Sequence, residues 1–265
     1  MRIGVVAPSC RLDETIPARL DDISKAHFGM GAPEILFHDQ CFLSDGHFAG
    51  SDDARIDAVV EYANDPTFDA IWFARGGYGA CRVAEAALAR FGPSAARKSY
   101  IGYSDAGFLL AGLHRAGIGR VAHGPMPADL NRPAGDAAVL RSLGWLINPV
   151  PAAQKQVAFN LTVLSQLLGT PLEPDLAGHV LMIEDVSEYM YRIDRSLFHV
   201  TGNAMIRQVA GIKLGRISQV PENDPDFVQD EEGVTRFWCL RSGIPYLGRA
   251  DIGHDAQNKV IPFGR

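Results

Sequence analysis

Short apolar runs of strand-forming residues alternate with helical patterns from Arg2 to about Met126, and this alternation restricts the fold more than any other feature. Consecutive parallel strands need a long crossover connection, which is usually a helix, so this order is typical of a parallel sheet covered by helices. The predicted strands are Ile3–Ala7, Glu34–Phe37, Ala70–Ala74, Tyr100–Tyr103 and Arg120–Ala122. We therefore expect an α/β fold in which this half of the chain forms a doubly wound lobe.

Three helices are predicted between these strands. The first begins after a cap at Ser51 or Asp52 and runs to Ala63, with apolar residues three and four positions apart on one face. The other two cover Ala84–Phe91 and Ala106–Arg115. In chain order, one helix follows each of the second, third and fourth predicted strands.

The pattern changes beyond Met126, where prolines and the segment Asn148–Pro149 interrupt it. A helix is predicted before the interruption, over Gly135–Ile147. The elements predicted after it are a helix over Leu161–Leu168, a strand over His179–Ile183, a helix over Arg192–Val200, a strand over Val209–Lys213 and an amphipathic helix within Asp226–Leu240. We expect an N-terminal α/β domain at 1–150 and a smaller C-terminal α/β domain at 151–265.

Charge and hydropathy exclude two classes of protein. The chain has 25 Lys and Arg against 31 Asp and Glu, a net charge of -6, so it lacks the clustered positive charge on which nucleic-acid binding depends. Its apolar runs are shorter than the roughly 18 to 20 residues that span a bilayer. We expect neither nucleic acid nor membrane as a partner.

The N-terminus and the cysteines indicate the compartment. Met1–Cys10 contains one basic residue before a short apolar run, which is typical of a first strand rather than of a secretory signal. The four cysteines are far apart and form no C-x-x-C pair, so the usual zinc and thioredoxin-like motifs are absent. These features predict a cytoplasmic protein with free, mostly buried thiols. No metal site or cofactor is expected.

Ser104 follows a predicted strand and precedes a predicted helix, in the segment Ile101–Gly107. That placement is typical of a nucleophile elbow, although Ala106 stands where the G-x-S-x-G pattern has its last glycine. A serine on such a turn presents its hydroxyl above the sheet, and the amide of Asp105 is directed at an anion beside it. The other interpretation of Ser104 is a simple helix cap.

A glycine-rich turn, Arg75–Gly79, follows the preceding strand. Loops at the carboxyl ends of parallel strands converge where ligands bind, so this turn and Ser104 are expected to share one crevice. The amide of Gly77, or failing that Gly76, is a candidate second oxyanion donor, and Arg75 is a candidate ligand for a substrate carboxylate. The turn has neither P-loop nor G-x-G-x-x-G spacing, which argues against nucleotide binding.

A serine nucleophile needs a base that a third group orients. His254, in a glycine-flanked loop near the C-terminus, is the leading candidate, and His123, which follows a predicted strand, is its rival. Glu184 and Asp185 are candidate orienting acids. They would point to opposite sides of a continuing strand, so at most one of them faces the histidine.

Taken together, these segments resemble the LD-carboxypeptidase family of serine peptidases, which contains muramoyltetrapeptide carboxypeptidases and microcin C self-immunity proteins. The resemblance covers nearly the whole chain. It is carried in order by the opening IGVVAPS, ARGGYG at Ala74–Gly79, IGYSDAG at Ile101–Gly107, AHGPM at Ala122–Met126, LMIEDVSEYMYRIDR at Leu181–Arg195 and GHDAQNKVIPFG at Gly253–Gly264.

The resemblance implies a role for each candidate. Ser104 would be the nucleophile, His254 the general base and Glu184 the acid, with the amides of Asp105 and Gly77 as oxyanion donors. The family fold implies a site in the groove between the lobes, where a shift of about 1 Å would cost on the order of a hundredfold in rate. The implied reaction removes D-alanine from cytosolic murein tetrapeptides, a step of peptidoglycan recycling, in a homodimer that needs no metal.

Two other functions remain open at this stage. A microcin-type hydrolase would cleave an acyl-nucleotide conjugate with the same triad, and it would need an aromatic platform for the nucleobase; Trp72, Trp145 and Trp238 are the only tryptophans. A non-catalytic muropeptide-binding protein would keep the groove without the chemistry. His254 lies only eleven positions before the last residue, and a poorly anchored histidine would favour that reading.

Overall fold

A computed structural model describes residues 1–264, and within them two β-sheets organise the chain. The strands are β1 (Arg2–Val6), β2 (Glu34–Phe37), β3 (Ala70–Phe73), β4 (Ser99–Gly102), β5 (Arg120–His123), β6 (Gln156–Asn160), β7 (Val180–Val186), β8 (Gly211–Ser218), β9 (Tyr246–Arg249) and β10 (Ile261–Pro262). The larger sheet has the order β10-β5-β4-β3-β1-β2, and the smaller has the order β6-β7-β8-β9. The pairings are parallel except for β10, which joins β5 in antiparallel fashion. The predicted α/β class with a doubly wound N-terminal lobe is confirmed.

Helices cover both sheets. They are α1 (Ile16–Phe28), α2 (Asp52–Asn64), α3 (Ala80–Leu88), α4 (Gly107–Ala116), α5 (Gly135–Ile147), α6 (Leu161–Leu167), α7 (Met190–Gly202) and α8 (Glu231–Ser242). The cap of α2 is Ser51, whose hydroxyl accepts a hydrogen bond from the amide of Ala54. The predicted bounds of α5 agree with the structure.

The strand order reverses next to β1. Its neighbours are β2 on one side and β3 on the other, so the chain crosses to opposite faces of the sheet on leaving these strands. Such a switch point opens a crevice at the carboxyl ends of the strands. The loops that follow β1, β3 and β4 therefore converge at one place, as the sequence predicts for the glycine-rich turn and Ser104.

Some predicted bounds are wrong. Helix α3 begins at Ala80 rather than Ala84, directly after Gly79 with its positive φ of 129°. Strand β7 continues through Glu184 and Asp185 to Val186, because β8 pairs with it along that length past a register shift. The sequence interpretation also omitted α1 and the strands β6, β9 and β10.

The two lobes share a hydrophobic core. One cluster of buried side chains joins Leu109 of α4 in the N-terminal half to Phe159 of β6 and Leu164 of α6 in the C-terminal half. Helices α4 and α6 approach closely, since a Cβ placed on Gly107 would lie 3.0 Å from Cγ1 of Val163. The division at residue 150 falls between β5 and β6, but β10 from beyond it joins the larger sheet. As a domain boundary it stays a prediction.

Two properties bear on the expected environment. Cys10, Cys41 and Cys239 are free and buried, and Cys81 is free and half-buried. In the described part of the chain, none of the helices combines the length and the apolar character that a bilayer crossing requires.

The shared core predicts that the lobes unfold together. We expect one calorimetric transition whose van't Hoff and calorimetric enthalpies agree. Replacing the fully buried Leu164 by alanine should destabilise that single transition by about 2 to 5 kcal/mol, because it removes buried apolar volume and leaves a cavity. Two separate transitions in differential scanning calorimetry, of which Leu164→Ala shifts only one, would contradict this prediction.

Candidate active site

Ser104 lies on a sharp turn between strand β4 and helix α4. The strand ends at Gly102, and a short 3-10 helix covers Ser104–Ala106 before α4 begins. Ser104 has a φ of 57°, a left-handed conformation that an L-residue adopts only at an energetic cost. A Cβ on Gly102 would lie 3.1 Å from Cβ of Ala106, so the turn is tight even with alanine at the last position of the motif. The backbone therefore has the geometry of a nucleophile elbow.

The carboxylate of Asp105 fastens this turn to its neighbours. Its Oδ2 accepts a hydrogen bond from the hydroxyl of Ser9 at 2.5 Å and another from the amide of Ala80 at 2.8 Å. Burial raises the pKa of Asp105, and these two hydrogen bonds work against that rise. One side chain thus joins the loop after β1, the start of α3 and the Ser104 turn.

The glycine-rich turn packs directly on the serine. A Cβ on Gly76 would lie 2.8 Å from Oγ of Ser104, so a larger residue there would displace the hydroxyl. Gly77 has a φ of 115°, which glycine adopts readily. The guanidinium of Arg75 donates to the carbonyl of Gly76 at 3.3 Å and to that of Arg11 at 3.1 Å, so it braces the turn from the side.

Glu184 and His254 form a buried pair. The imidazole Nδ1 lies 2.6 Å from Oε2 of Glu184, and the two side chains are 6% and 0% exposed. Burial raises the pKa of the Glu184 carboxyl, whereas the neighbouring His254 lowers it. A carboxylate bonded to Nδ1 fixes the orientation of the imidazole and leaves Nε2 free to exchange a proton with a substrate or nucleophile.

Asp185, the alternative acid, faces away from His254. Its carboxylate accepts hydrogen bonds from the side-chain amide of Asn160 and from the hydroxyl of Thr162, each at 2.8 Å. The reason is the alternation of side chains along β7, which continues through both acids. Of the two acids that spacing left open, the structure therefore brings only Glu184 to the histidine.

His123, the rival base, is 1% exposed and lies at the end of β5. Its Nε2 donates to Oδ1 of Asn258 at 3.1 Å. Burial lowers the pKa of His123 to about 4, so this imidazole is neutral near pH 7. Its position is that of a buried residue supporting the loop that carries His254.

Ser104 lies between two cavities. The smaller, about 450 Å³, is also lined by Arg75, Arg132 and His254, so the serine and the candidate base face the same space. The larger, about 720 Å³, extends along the groove between the lobes past Asp185. Within residues 1–264 the Ser104 hydroxyl makes no hydrogen bond to His254, and such catalytic contacts are often long before substrate binds.

The sequence interpretation missed several residues that organise this site. Ser9 bonds to Asp105, Arg132 donates to the backbone carbonyl of His254, and Arg141 donates to backbone carbonyls near Asn258. Their partners are distant in sequence and are mostly backbone groups. Ser9 and Asn258 did carry a signal, because both belong to segments that the family resemblance covers.

Comparison with protein families gives matches over both halves of the chain. The LD-carboxypeptidase N-terminal domain matches residues 3–124, and the LD-carboxypeptidase C-terminal domain matches residues 156–265. The N-terminal match covers strands β1 to β5 of the larger sheet, and the C-terminal match covers the smaller sheet together with β10, which joins the larger one.

Curated proteins and solved structures agree with these matches. The chain is 32% identical to a Synechocystis protein that carries a carboxypeptidase name, over 99% of this chain and 89% of that protein. It is 28% identical to the murein tetrapeptide carboxypeptidase of Pseudomonas aeruginosa, over 83% of this chain and 78% of that protein. The crystal structure of muramoyltetrapeptide carboxypeptidase from Oxalobacter formigenes is 23% identical with a TM-score of 0.83, covering 98% of this chain and 93% of that one. The microcin C7 self-immunity protein MccF, in complex with aspartyl sulfamoyl adenosine, is 18% identical with a TM-score of 0.78, covering 99% and 91%.

The buried His123 predicts a specific loss of stability in acid. The pKa of His123 is about 4 in the folded protein, against 6.5 for an unperturbed histidine. Between these two pH values the imidazole is mostly protonated in the unfolded chain and mostly neutral in the folded one. The free energy of unfolding must therefore fall as the pH drops from 6.5 towards 4. Between pH 7 and pH 5 this one group accounts for a loss of about 2 kcal/mol.

The variant His123→Gln should reduce that pH dependence by the same amount. Urea denaturation of both proteins at pH 7 and pH 5 measures it. An equal loss in wild type and variant would contradict a buried neutral His123.

Proposed function

This chain belongs to the LD-carboxypeptidase family, a group of serine carboxypeptidase-type hydrolases, and from that premise we propose that it removes the terminal D-alanine from murein tetrapeptides. The observation that carries the proposal is the buried Glu184–His254 pair, which opens on the cavity that Ser104 also lines. The murein tetrapeptide and murein peptide carboxypeptidases among its relatives support the choice of substrate class.

In the proposed reaction Ser104 forms an acyl-enzyme. His254 takes the proton of the hydroxyl as Oγ attacks the carbonyl of the penultimate residue, a diaminopimelate at its L-centre. Collapse of the tetrahedral intermediate breaks the C–N bond, and His254 returns the proton to the amine of the departing D-alanine. Water, deprotonated by the same histidine, then hydrolyses the ester, and Glu184 holds the imidazole in one tautomer throughout. None of these steps uses a metal ion or a cofactor.

Backbone amides would stabilise the developing charge. The amides of Asp105 and Gly77 are the proposed oxyanion donors, and the bonds from Ser9 and Ala80 to Asp105 hold the two turns together. Removing one such donor typically costs about a hundred- to a thousandfold in kcat. Arg75, with Gly76 beside it, is proposed to bind the carboxylate of the leaving D-alanine, since both residues line the cavity that holds Ser104.

The biological setting is part of the same proposal. Cleavage of murein tetrapeptides to tripeptides in the cytoplasm would be a step of peptidoglycan recycling, carried out by a homodimer. Light scattering of the purified protein would test the assembly, and a monomeric mass would contradict the proposed homodimer.

Substitution of the proposed triad should abolish D-alanine release. We expect Ser104→Ala and His254→Ala each to lower kcat by roughly a thousandfold or more, and the double variant to be hardly worse, because residues that act as one unit are not additive. The substrate is L-Ala-γ-D-Glu-meso-diaminopimelyl-D-Ala with EDTA present, and mass spectrometry follows the loss of one D-alanine. Full activity of Ser104→Ala would overturn the proposed nucleophile, and binding without release by wild type would favour a muropeptide-binding protein.

The contact between Gly76 and Ser104 gives a second prediction. In Gly76→Ala the new methyl would lie 2.8 Å from Oγ, and displacing the hydroxyl should lower kcat/KM on the order of a hundredfold. Gly202→Ala is the matched control, since a Cβ there meets no atom within 4 Å and the variant should keep wild-type activity. Equal activities of the two variants would show that the turn does not restrict the serine.

A second candidate function is hydrolysis of an acyl-nucleotide conjugate, as in the microcin-type alternative. The larger cavity is lined by Tyr78 and Phe108, and Tyr78 is 52% exposed, so an aromatic surface is available for a nucleobase. Trp72 is instead buried in the core, and Trp238 bonds to Asp194 away from the cavity. Incubation with aspartyl sulfamoyl adenosine tests this function: cleavage that Tyr78→Ala weakens, without cleavage of the tetrapeptide, would replace the first proposal.

A further inference from the structure

The loop that carries His254 belongs to the C-terminal half by sequence, yet side chains of the N-terminal half hold it. We call residues 251–259 the histidine loop. Arg132 donates to the backbone carbonyl of His254, and His123 donates to Oδ1 of Asn258. Arg141 donates through Nη2 to the carbonyls of Ala256 and Asn258, the latter at 3.0 Å.

The C-terminal half grips the same loop from the other side. Arg216 of β8 bonds to both carboxylate oxygens of Asp255 and, at 2.6 Å, to Asp251. Glu184 of β7 bonds to the imidazole of His254 itself. The histidine loop is therefore clamped between the lobes, and the N-terminal contacts set its position relative to Ser104.

We propose that Arg141 is a positioning residue that docks the histidine loop on the lobe carrying Ser104. The inference rests on the proposed function of His254 as general base. Arg141 lies on α5, and all the hydrogen bonds of its guanidinium within residues 1–264 go to carbonyls of this loop. It is outside the two cavities around Ser104, so it acts through the loop and not on the substrate.

The contact reaches His254 through Asn258. Arg141 fixes the backbone of Asn258, and the side-chain Oδ1 of Asn258 accepts a hydrogen bond from the amide of Gly253 at 3.2 Å. Gly253 directly precedes His254, and a Cβ there would lie 2.9 Å from Cβ of Arg216. The loop is thus closed on itself next to the histidine, and a displacement at Asn258 is transmitted to the imidazole.

The chemistry of arginine suits this role. Its planar guanidinium presents several N–H donors in a fixed arrangement, so one side chain holds the carbonyl groups of both Ala256 and Asn258 in a defined direction. The charged donor also strengthens these hydrogen bonds relative to neutral ones. A glutamine at this position would stay polar but would lose both the positive charge and the planar set of N–H donors.

The experiment compares wild type, Arg141→Gln, Arg141→Lys and the control Arg90→Gln. Arg90 is also a hydrogen-bonded arginine of the N-terminal half, but its partner is Asp57 on α2, remote from the loop. We expect Arg141→Gln to lower kcat about tenfold or more with KM within twofold, because the base moves and the substrate contacts stay. Arg141→Lys should recover part of that loss, and Arg90→Gln should behave as wild type.

Proton NMR separates this inference from the proposed function. The Nδ1 proton of His254, bonded to Glu184, should give a downfield resonance in wild type that Arg141→Gln broadens or shifts and Arg90→Gln leaves unchanged. If wild type releases no D-alanine, the proposed function fails while the resonance still tests the docking. A folded Arg141→Gln variant with wild-type kcat, or with an unchanged resonance, would overturn the inference. If Arg141→Gln does not fold, Arg141→Lys takes its place, and a wild-type kcat and resonance in that variant would overturn the inference.

Discussion

The hydrogen bond between Glu184 and His254 joins the smaller sheet to a loop that is docked on the larger one. Both side chains are buried, and each is a hydrogen-bond partner of the other. Breaking such a buried pair by removing one partner commonly costs about 3 to 5 kcal/mol. This hydrogen bond therefore links three features of the structure: the orientation of the imidazole, the continuation of β7 through Glu184, and the course of the chain around His254.

Much of the fold could be predicted from local patterns, because those patterns decide it. The cap at Ser51 and the bounds of α5 follow from residues within a few positions of one another. The extent of β7 could not be predicted from nearby residues, because it depends on pairing with β8, about thirty residues further along the chain. Strand β10 could not be predicted from local sequence either, because its two residues form a strand only by pairing with β5.

The candidate site divides in the same way. Ser104 and the glycine-rich turn were recognisable because a strand end followed by a helix or a glycine cluster is a local signal. The choice of Glu184 over Asp185 needed either the family resemblance or the pleat of a strand whose end was unknown. Arg141 was out of reach, since its partners are carbonyl groups more than a hundred positions away and any sequence would supply them.

Direct labelling of Ser104 tests the central claim, that this hydroxyl is an activated nucleophile served by His254. The protein would be treated with an alkyl fluorophosphonate, digested with trypsin and analysed by tandem mass spectrometry on the peptide Ser99–Arg115, which contains Ser104. The account predicts a phosphonyl adduct on Ser104 that is lost in His254→Ala, while Ser99 in the same peptide stays unmodified. Labelling that persists at an equal rate in His254→Ala, or an adduct on another residue of a protein that still releases D-alanine, would contradict it.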